Sequence, residues 1–301
     1  MIPTRDQDKR ERVRTPRAAR HRAAGGTETF AGGFHALGEL AYQGAEVSAS
    51  VIDLATRTQL LSIDDRIALP TASIGKVLLL IETSARITAR DFAGYGILDK
   101  TPGDNVADSG VWRHLQAPAL PVADLATLVG ATSDNLATNV LLRVIGLDAV
   151  RSRAEALGLS RTALLDLVRN HRGPDDAPHL SIGATAELAW LFGALSRGEV
   201  VDPVTSQRVL GWLSLNTDLS MVASAFGLDP LAHREVDHGI QMVNKTGSDV
   251  GLRAEAGVVR SPRAGVAYAV TVHFDDTDLL TRLRVLGAMR AVGRDILEYL
   301  H

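Results

Sequence analysis

The chain has no cysteine among its 301 residues, which excludes disulfides, thiolate metal sites and a cysteine nucleophile while leaving the redox compartment open. Long apolar runs are missing too. The longest aliphatic stretch, Val77 to Ile81, falls far short of the ~20 residues that cross a bilayer, so no membrane association is expected. Neither sign of charge dominates: the formal net charge is −3. Nucleic acid and anionic membranes are therefore not the expected partners, whereas a small or peptide-like substrate is. The nine histidines show no metal-ligand spacing, so neither a metal nor another cofactor is expected.

Lysine is scarce. Only Lys9, Lys76, Lys100 and Lys245 are present in a chain rich in arginine. A desolvated lysine can lose its proton near neutrality and arginine cannot, which makes each internal lysine a candidate for proton transfer. Residues 1 to 26 carry eight Lys/Arg against three Asp/Glu, with no apolar segment fit for a signal sequence. Residues 1–27 are read as a disordered basic tail. A cytoplasmic location is expected, or a periplasmic or secreted one if the sequence lacks its leader.

With 46% hydrophobic and 22% charged residues, the chain can bury a large core. A helix is predicted over Thr29 to Leu40, then strands over Glu46 to Leu54 and Gln59 to Ile63 joined as a hairpin. A helix from about Ala72 to Ile87 follows Ala68-Leu69-Pro70, placing Ser73 at a helix start. Helical segments follow near Pro121–Gly130, Asn135–Ile145, Asp148–Leu157 and Ala184–Ser196. A polar loop, Arg169 to His179, lies between the last two. Strand character returns at Met242–Lys245, Leu252–Val259 and Ala267–Phe274, before a closing helix over Asp278–Leu300. Strand-rich ends around a helical middle predict an α/β (α+β) chain. One sheet domain is built from 28–70 and 215–301, a helical domain is inserted over 71–214, and the active site lies in the cleft between them. A monomer is expected.

Three short motifs occur in order: Ser73-Ile-Gly-Lys76, Ser133-Asp134-Asn135 and Lys245-Thr246-Gly247. Each is weak alone, and their conjunction carries the argument. On a helix, residues three apart share a face, which brings the Lys76 amine within reach of the Ser73 hydroxyl. A serine hydroxyl is a poor nucleophile until a base removes its proton, and a lysine depressed by burial or by a second cation, here Lys245, can be that base. Free backbone N–H groups at the helix start suit developing negative charge.

The ordered trio resembles the class A serine β-lactamases, the penicillin-binding proteins and related serine hydrolases, over about residues 28 to 301. Leu69-Pro70-Thr71-Ala72 before the nucleophile, the run Ser133 to Asn139 opening a helix, and the sixty positions from Ser73 to Ser133 add to the likeness. The resemblance implies a β-lactamase/transpeptidase-like fold with an antiparallel sheet flanked by helices. It implies that Ser73 is acylated, Lys76 accepts the proton, and Ser133 relays one to the leaving nitrogen. Asn135 would hold the substrate amide, while Lys245, Thr246 and Arg253 would bind the substrate carboxylate. Ser248, following Gly247, would supply an oxyanion-hole N–H together with that of Ser73. Gly110-Val111-Trp112 would lie at the cleft edge, with Trp112 among the substrate-binding residues.

One departure qualifies the likeness. Class A enzymes carry a Glu that activates the deacylating water three residues beyond an Asp matched here by Asp166. Arg169 stands in that place, and no Glu occurs between Glu155 and Glu187. A cation cannot act as general base, so slow hydrolysis of a β-lactam acyl-enzyme is expected unless Asp175, Asp176, His171 or His179 substitutes. The leading expectation is thus acyl-Ser73 chemistry on β-lactams or related amides and esters. The alternatives are a D-amino-acid peptidase or esterase, a biosynthetic acyltransferase, and a non-catalytic binder of a carboxylated ligand.

Overall fold

A computed structural model describes residues 29–301 other than Phe92, Asp108 and Asp237; the expected basic tail lies outside the described residues. Helix α1 (Ala31–Tyr42) leads into β1 (Glu46–Asp53) and β2 (Gln59–Ile63). After β3 (Leu69–Pro70) a 3₁₀ turn, Ala72–Gly75, precedes α2 (Lys76–Ala89). The short hairpin β4 (Ile97–Asp99) and β5 (Ala119–Pro121) leads into α3 (Val122–Thr132), α4 (Asn135–Ile145) and α5 (Leu147–Ala156). Then come β6 (Ala163–Leu164), β7 (Ser181–Gly183), α6 (Thr185–Ser196) and α7 (Pro203–Leu213). The chain closes with β8 (Gln241–Asp249), β9 (Leu252–Arg260), β10 (Gly265–His273) and α8 (Leu279–Leu300).

Both chain ends build one antiparallel five-stranded sheet in the order β2-β1-β10-β9-β8. Alternation decides its faces. Val47, Val51, Tyr268, Val270 and Val272 join Leu37 of α1 and Val285, Met289 and Val292 of α8 in one core. On the other face the small residues Ala254, Ala256, Ala267 and Ala269 let α6 approach through Leu188, Leu191 and Phe192. The sheet is therefore a middle layer between two helical ones.

Helix α2 is the axis of the remaining helices. Residues Lys76 to Ala85 are all buried, so the helix has no solvent face over its first ten residues, as befits a helix enclosed on every side. Its buried Glu82 is paired on both oxygens, with Arg86 and Arg153 each at 2.8 Å. Asp202 caps α7, which the helical reading of residues 71–214 did not resolve as a separate segment, and Pro203 occupies its first turn. The expected start of the Ser73 helix is corrected as well: the α-helix begins at Lys76, and Ser73 sits in the preceding 3₁₀ turn, where side chains three apart eclipse.

Beneath β8 and β9 runs a buried polar chain. Tyr268 Oη and Asn244 Nδ2 donate to Glu255 Oε1 at 2.7 and 2.8 Å, and Asn216 Nδ2 donates to Asn244 Oδ1 at 2.8 Å. Burial pushes the Glu255 carboxyl up from about 4.5 to about 7. An acid raised on folding stabilises the fold fully below its ordinary value, and that contribution is lost as pH rises through about 7. Glu255→Gln, which stays neutral, is expected to remove this dependence. Melting curves between about pH 4 and pH 8 should show the variant gaining on the parent protein as pH rises; parallel curves would contradict the assignment.

Candidate active site

Strand β3 pairs with β7 and delivers the chain to the Ala72–Gly75 turn. Gly75 must lack a side chain, because a Cβ there would stand 2.3 Å from that of Ser181. On the other side lies β8. A Cβ on Gly247 would stand 2.2 Å from the Thr71 carbonyl oxygen and 3.2 Å from the Ser73 nitrogen, so only glycine lets this strand lie against the turn that carries Ser73.

Lys76 and Lys245 are both fully buried and converge on one hydroxyl. Ser133 Oγ lies 3.3 Å from Lys76 Nζ and 3.1 Å from Lys245 Nζ. Lys76 also donates to Asn135 Oδ1 at 2.6 Å and to the Ser133 carbonyl at 2.8 Å, and Lys245 donates to the Thr246 carbonyl at 2.7 Å. Neither amine contacts a carboxylate among the described residues. Burial, reinforced by the charge of Lys245, holds Lys76 well below the usual lysine range, and burial brings Lys245 down to about 8. A lysine depressed by burial beside a second buried lysine is an arrangement that can offer a base to a hydroxyl.

Local backbone geometry aims these groups. Ser133 ends α3 in the left-handed region, at φ 55°, turning its side chain towards the lysines. Asp134 caps α4 through the Ala137 N–H at 2.9 Å, and its other oxygen accepts the N–H groups of Val111 and Trp112 at 2.7 and 2.8 Å. Asn135 donates to the Ala107 carbonyl at 3.0 Å, so its amide is already committed at both ends.

Ser73 borders two cavities. A small recess of about 130 Å³ is lined by Ser73, Ser133, Asp218, Thr246 and Ser248, among others. A larger cavity of about 520 Å³ is bounded by Ser73, Asn135, Arg169, His171, Arg253 and Arg282, among others. Ser248 pairs with Arg253 across β8 and β9 and borders both cavities. Arg253 lines the larger one, donating to the carbonyls of Asp249 and Leu252 at 2.8 and 2.6 Å.

Trp112 is placed elsewhere than expected. Its ring is fully buried and donates to the Ala117 carbonyl at 3.0 Å, with Lys100 5.5 Å from the ring centre, so it supports the cleft edge from the core and offers no face to a substrate. Asp218, Ser109, Asn170 and Arg282 line the cleft without having been expected there. No local pattern marks them; only the fold brings them together.

Arg169 is a strut. Its guanidinium donates to Asp166 at 2.7 and 3.1 Å and pairs with Asp176 at 3.1 Å, while Arg172 holds the same Asp166 at 2.6 Å. Asn139 clamps the loop through both backbone groups of Val168, each at 2.9 Å. Of the four loop residues considered as substitute bases, His171 lines the cavity beside Ser73, Asp176 is paired with Arg169, and Asp175 and His179 are not among the lining residues. No group of three His, Asp or Glu able to hold a metal occurs among the described residues, and no helix among them is long and apolar enough to cross a membrane.

Gly247→Ala is expected to destabilise the protein by about 2 kcal/mol or more, because the new methyl meets a backbone oxygen that cannot rotate away. Denaturant unfolding checks this; a loss under about 0.5 kcal/mol would mean that β8 does not press on the turn.

A family model described as the beta-lactamase enzyme family matches residues 34–300. A comparison with curated protein sequences finds no match. Among solved structures, a beta-lactamase from Sphaerobacter thermophilus superposes with a TM-score of 0.78 at 23% identity, over 90% of this chain and 97% of that one. A beta lactamase from Xanthomonas campestris gives 0.76 at 17% identity, over 91% and 99%. PBP-A gives 0.74 at 17% identity, over 89% and 95%.

Proposed function

The chain belongs to the beta-lactamase enzyme family, and from that premise we propose that it is a serine acyl-transfer enzyme acting on β-lactams or related amides and esters through an acyl-Ser73 intermediate. The observation that carries the proposal is the Ser133 hydroxyl held between two buried lysines beside Ser73. Neutral Lys76 takes the Ser73 proton as the bond from Ser73 Oγ to the acyl carbon forms, and the N–H groups of Ser73 and Ser248 receive the oxyanion. The bond to the leaving nitrogen then breaks. Ser133 gives that nitrogen its proton and recovers one from Lys76, leaving Lys76 neutral again.

Deacylation by water is the slow step in this reading. Arg169 is cationic and tied to two carboxylates, so it neither accepts a proton nor swings aside. A solved structure of a PBP-A point mutant is an acyl-enzyme complex with penicillin G, at 16% identity and a TM-score of 0.73. Long-lived acylation followed by transfer to an acceptor other than water is the corresponding activity proposed here.

Intact-protein mass spectrometry after mixing with a penicillin is expected to show an adduct that persists and that Ser73→Ala abolishes. An adduct that clears while the drug is consumed would show that another base, with His171 the first candidate, serves deacylation. No adduct would reject β-lactams as acylating substrates. The acylation rate constant is also expected to fall above about pH 8, where Lys245 loses the charge that depresses Lys76 and draws an anionic substrate. A rate constant still rising at about pH 10 would contradict the role given to Lys245.

A further inference from the structure

The peptide group that joins Ala72 to Ser73 is gripped on two sides. Its carbonyl and its N–H belong to one planar unit and point in opposite directions, so whatever fixes one fixes the other. The N–H end lies on the β8 side, where the Ser73 nitrogen stands 3.2 Å from the place a Cβ on Gly247 would occupy. The carbonyl end lies on the β7 side, where the Ser181 hydroxyl donates to the Ala72 oxygen at 2.6 Å. Ala72 itself needs holding. Its φ of 47° lies in the left-handed region, which residues with a Cβ avoid. Rotation about the N–Cα or Cα–C bond of Ala72 swings the whole peptide group and carries the Ser73 N–H with it.

Ser181 is built to resist that rotation. It is fully buried in β7 and lines neither cavity at Ser73. Its hydroxyl proton is committed to Ala72, so in the 2.8 Å contact with Thr71 Oγ1 the threonine donates and Ser181 accepts. The Thr71 N–H adds a third bond, to the Ser181 carbonyl at 3.0 Å. Gly75 closes the other side: a Cβ there would stand 2.8 Å from Ser181 Oγ, so the hydroxyl packs against bare backbone and has little room to turn away. The strand beneath is fixed as well, because Ser181 pairs with Leu164 of β6 while its neighbours Ile182 and Gly183 pair with Pro70 and Leu69 of β3.

Resting on the acyl-transfer reading above, we infer that Ser181 is a positioning residue for acylation: by holding the Ala72 carbonyl, its hydroxyl keeps the Ser73 N–H aimed at the carbonyl oxygen of the acyl donor, and Thr71 keeps Ser181 in that orientation. Ser181 touches no substrate atom and moves no proton. In the step it serves, Ser73 Oγ bonds to the acyl carbon and the carbonyl electron pair moves onto oxygen, where the N–H groups of Ser73 and Ser248 receive it; collapse of that oxyanion expels the leaving group. A donor fixed in advance needs no reorganisation as the charge forms, so the Ser181 hydroxyl acts on the one step in which the oxygen becomes an anion.

The test compares a phenyl ester with its thionoester, which puts sulfur, a weak hydrogen-bond acceptor, where the oxyanion forms. Ser73 labelling is read by phenol release and intact mass. In the parent protein the oxygen ester is expected to label roughly tenfold faster than the thionoester or more. Ser181→Ala is expected to slow the oxygen ester roughly tenfold and to leave the thionoester nearly unchanged, so the ratio of the two rates falls by about the same factor. The pairing of β7 with β3 and β6 does not use the hydroxyl, and a melting curve checks that the variant is folded. Thr71→Val, which removes the donor to Ser181, is expected to lower the ratio in the same direction by a smaller factor, and it carries the test if Ser181→Ala does not fold. A parent ratio near one, or a folded variant that keeps the parent's ratio because both rates hold or both fall together, would overturn the inference while leaving acyl transfer intact. Failure of the ester, the thionoester and a penicillin alike to label Ser73 in the parent protein would overturn the acyl-transfer reading itself.

Discussion

Strand β8 lies so close against the Thr71–Ser73 turn that its glycine is in van der Waals conflict with any larger residue. Everything at the site is measured from that contact. It fixes the distance from the β8 backbone to Ser73 and brings Lys245 to the Ser133 hydroxyl, while the pairing of β8 with β9 sets Ser248 opposite Arg253. Strands drawn from the end of the chain are thereby locked to a turn near its beginning, and the sheet becomes the ruler for a site whose other parts come from helices.

The second determinant is the burial of two lysine amines without a carboxylate in contact with either among the described residues. Desolvation is costly for a charged lysine, and each is therefore poised to give up its proton. Their neighbours are neutral oxygens: Ser133, Asn135 and the carbonyls of Ser133 and Thr246. These oxygens accept from either protonation state of the amine and leave its charge uncompensated, which is what keeps Lys76 usable as a base. Arginine in either place would stay charged. The loop facing Ser73 follows the opposite rule, pairing Arg169 and Arg172 with Asp166 and Asp176 so that every charge in that network is satisfied.

Much of this was legible in the chain because it is local. The strand Gln59–Ile63 and the helix Asn135–Ile145 stand where their periodicity places them. The three motifs name Ser73, Lys76, Ser133 and Lys245, residues that the fold brings around one hydroxyl, although the expected contact of Lys76 with the Ser73 hydroxyl is replaced by contacts with Ser133 and Asn135. Trp112 was misplaced because a tryptophan next to a cleft motif does not reveal which way its ring turns; the Ala117 carbonyl decides that. Asp218 and Arg282 were invisible because nothing nearby in sequence relates them to Ser73. The strut role of Arg169 depends on Asp176, seven positions away on an irregular loop without a period.

The scarcity of lysine makes the central claim directly measurable. With only four lysines in the chain, labelling the side-chain ε-carbons gives four resonances to follow by NMR through a pH titration, assigned with Lys76→Arg and Lys245→Arg. The account predicts one signal titrating near 8, lost in Lys245→Arg, and one titrating well below the ordinary lysine value, lost in Lys76→Arg. Four signals titrating together near 10.5 would contradict it, because Lys76 would then be an ammonium at neutral pH and no base for Ser73.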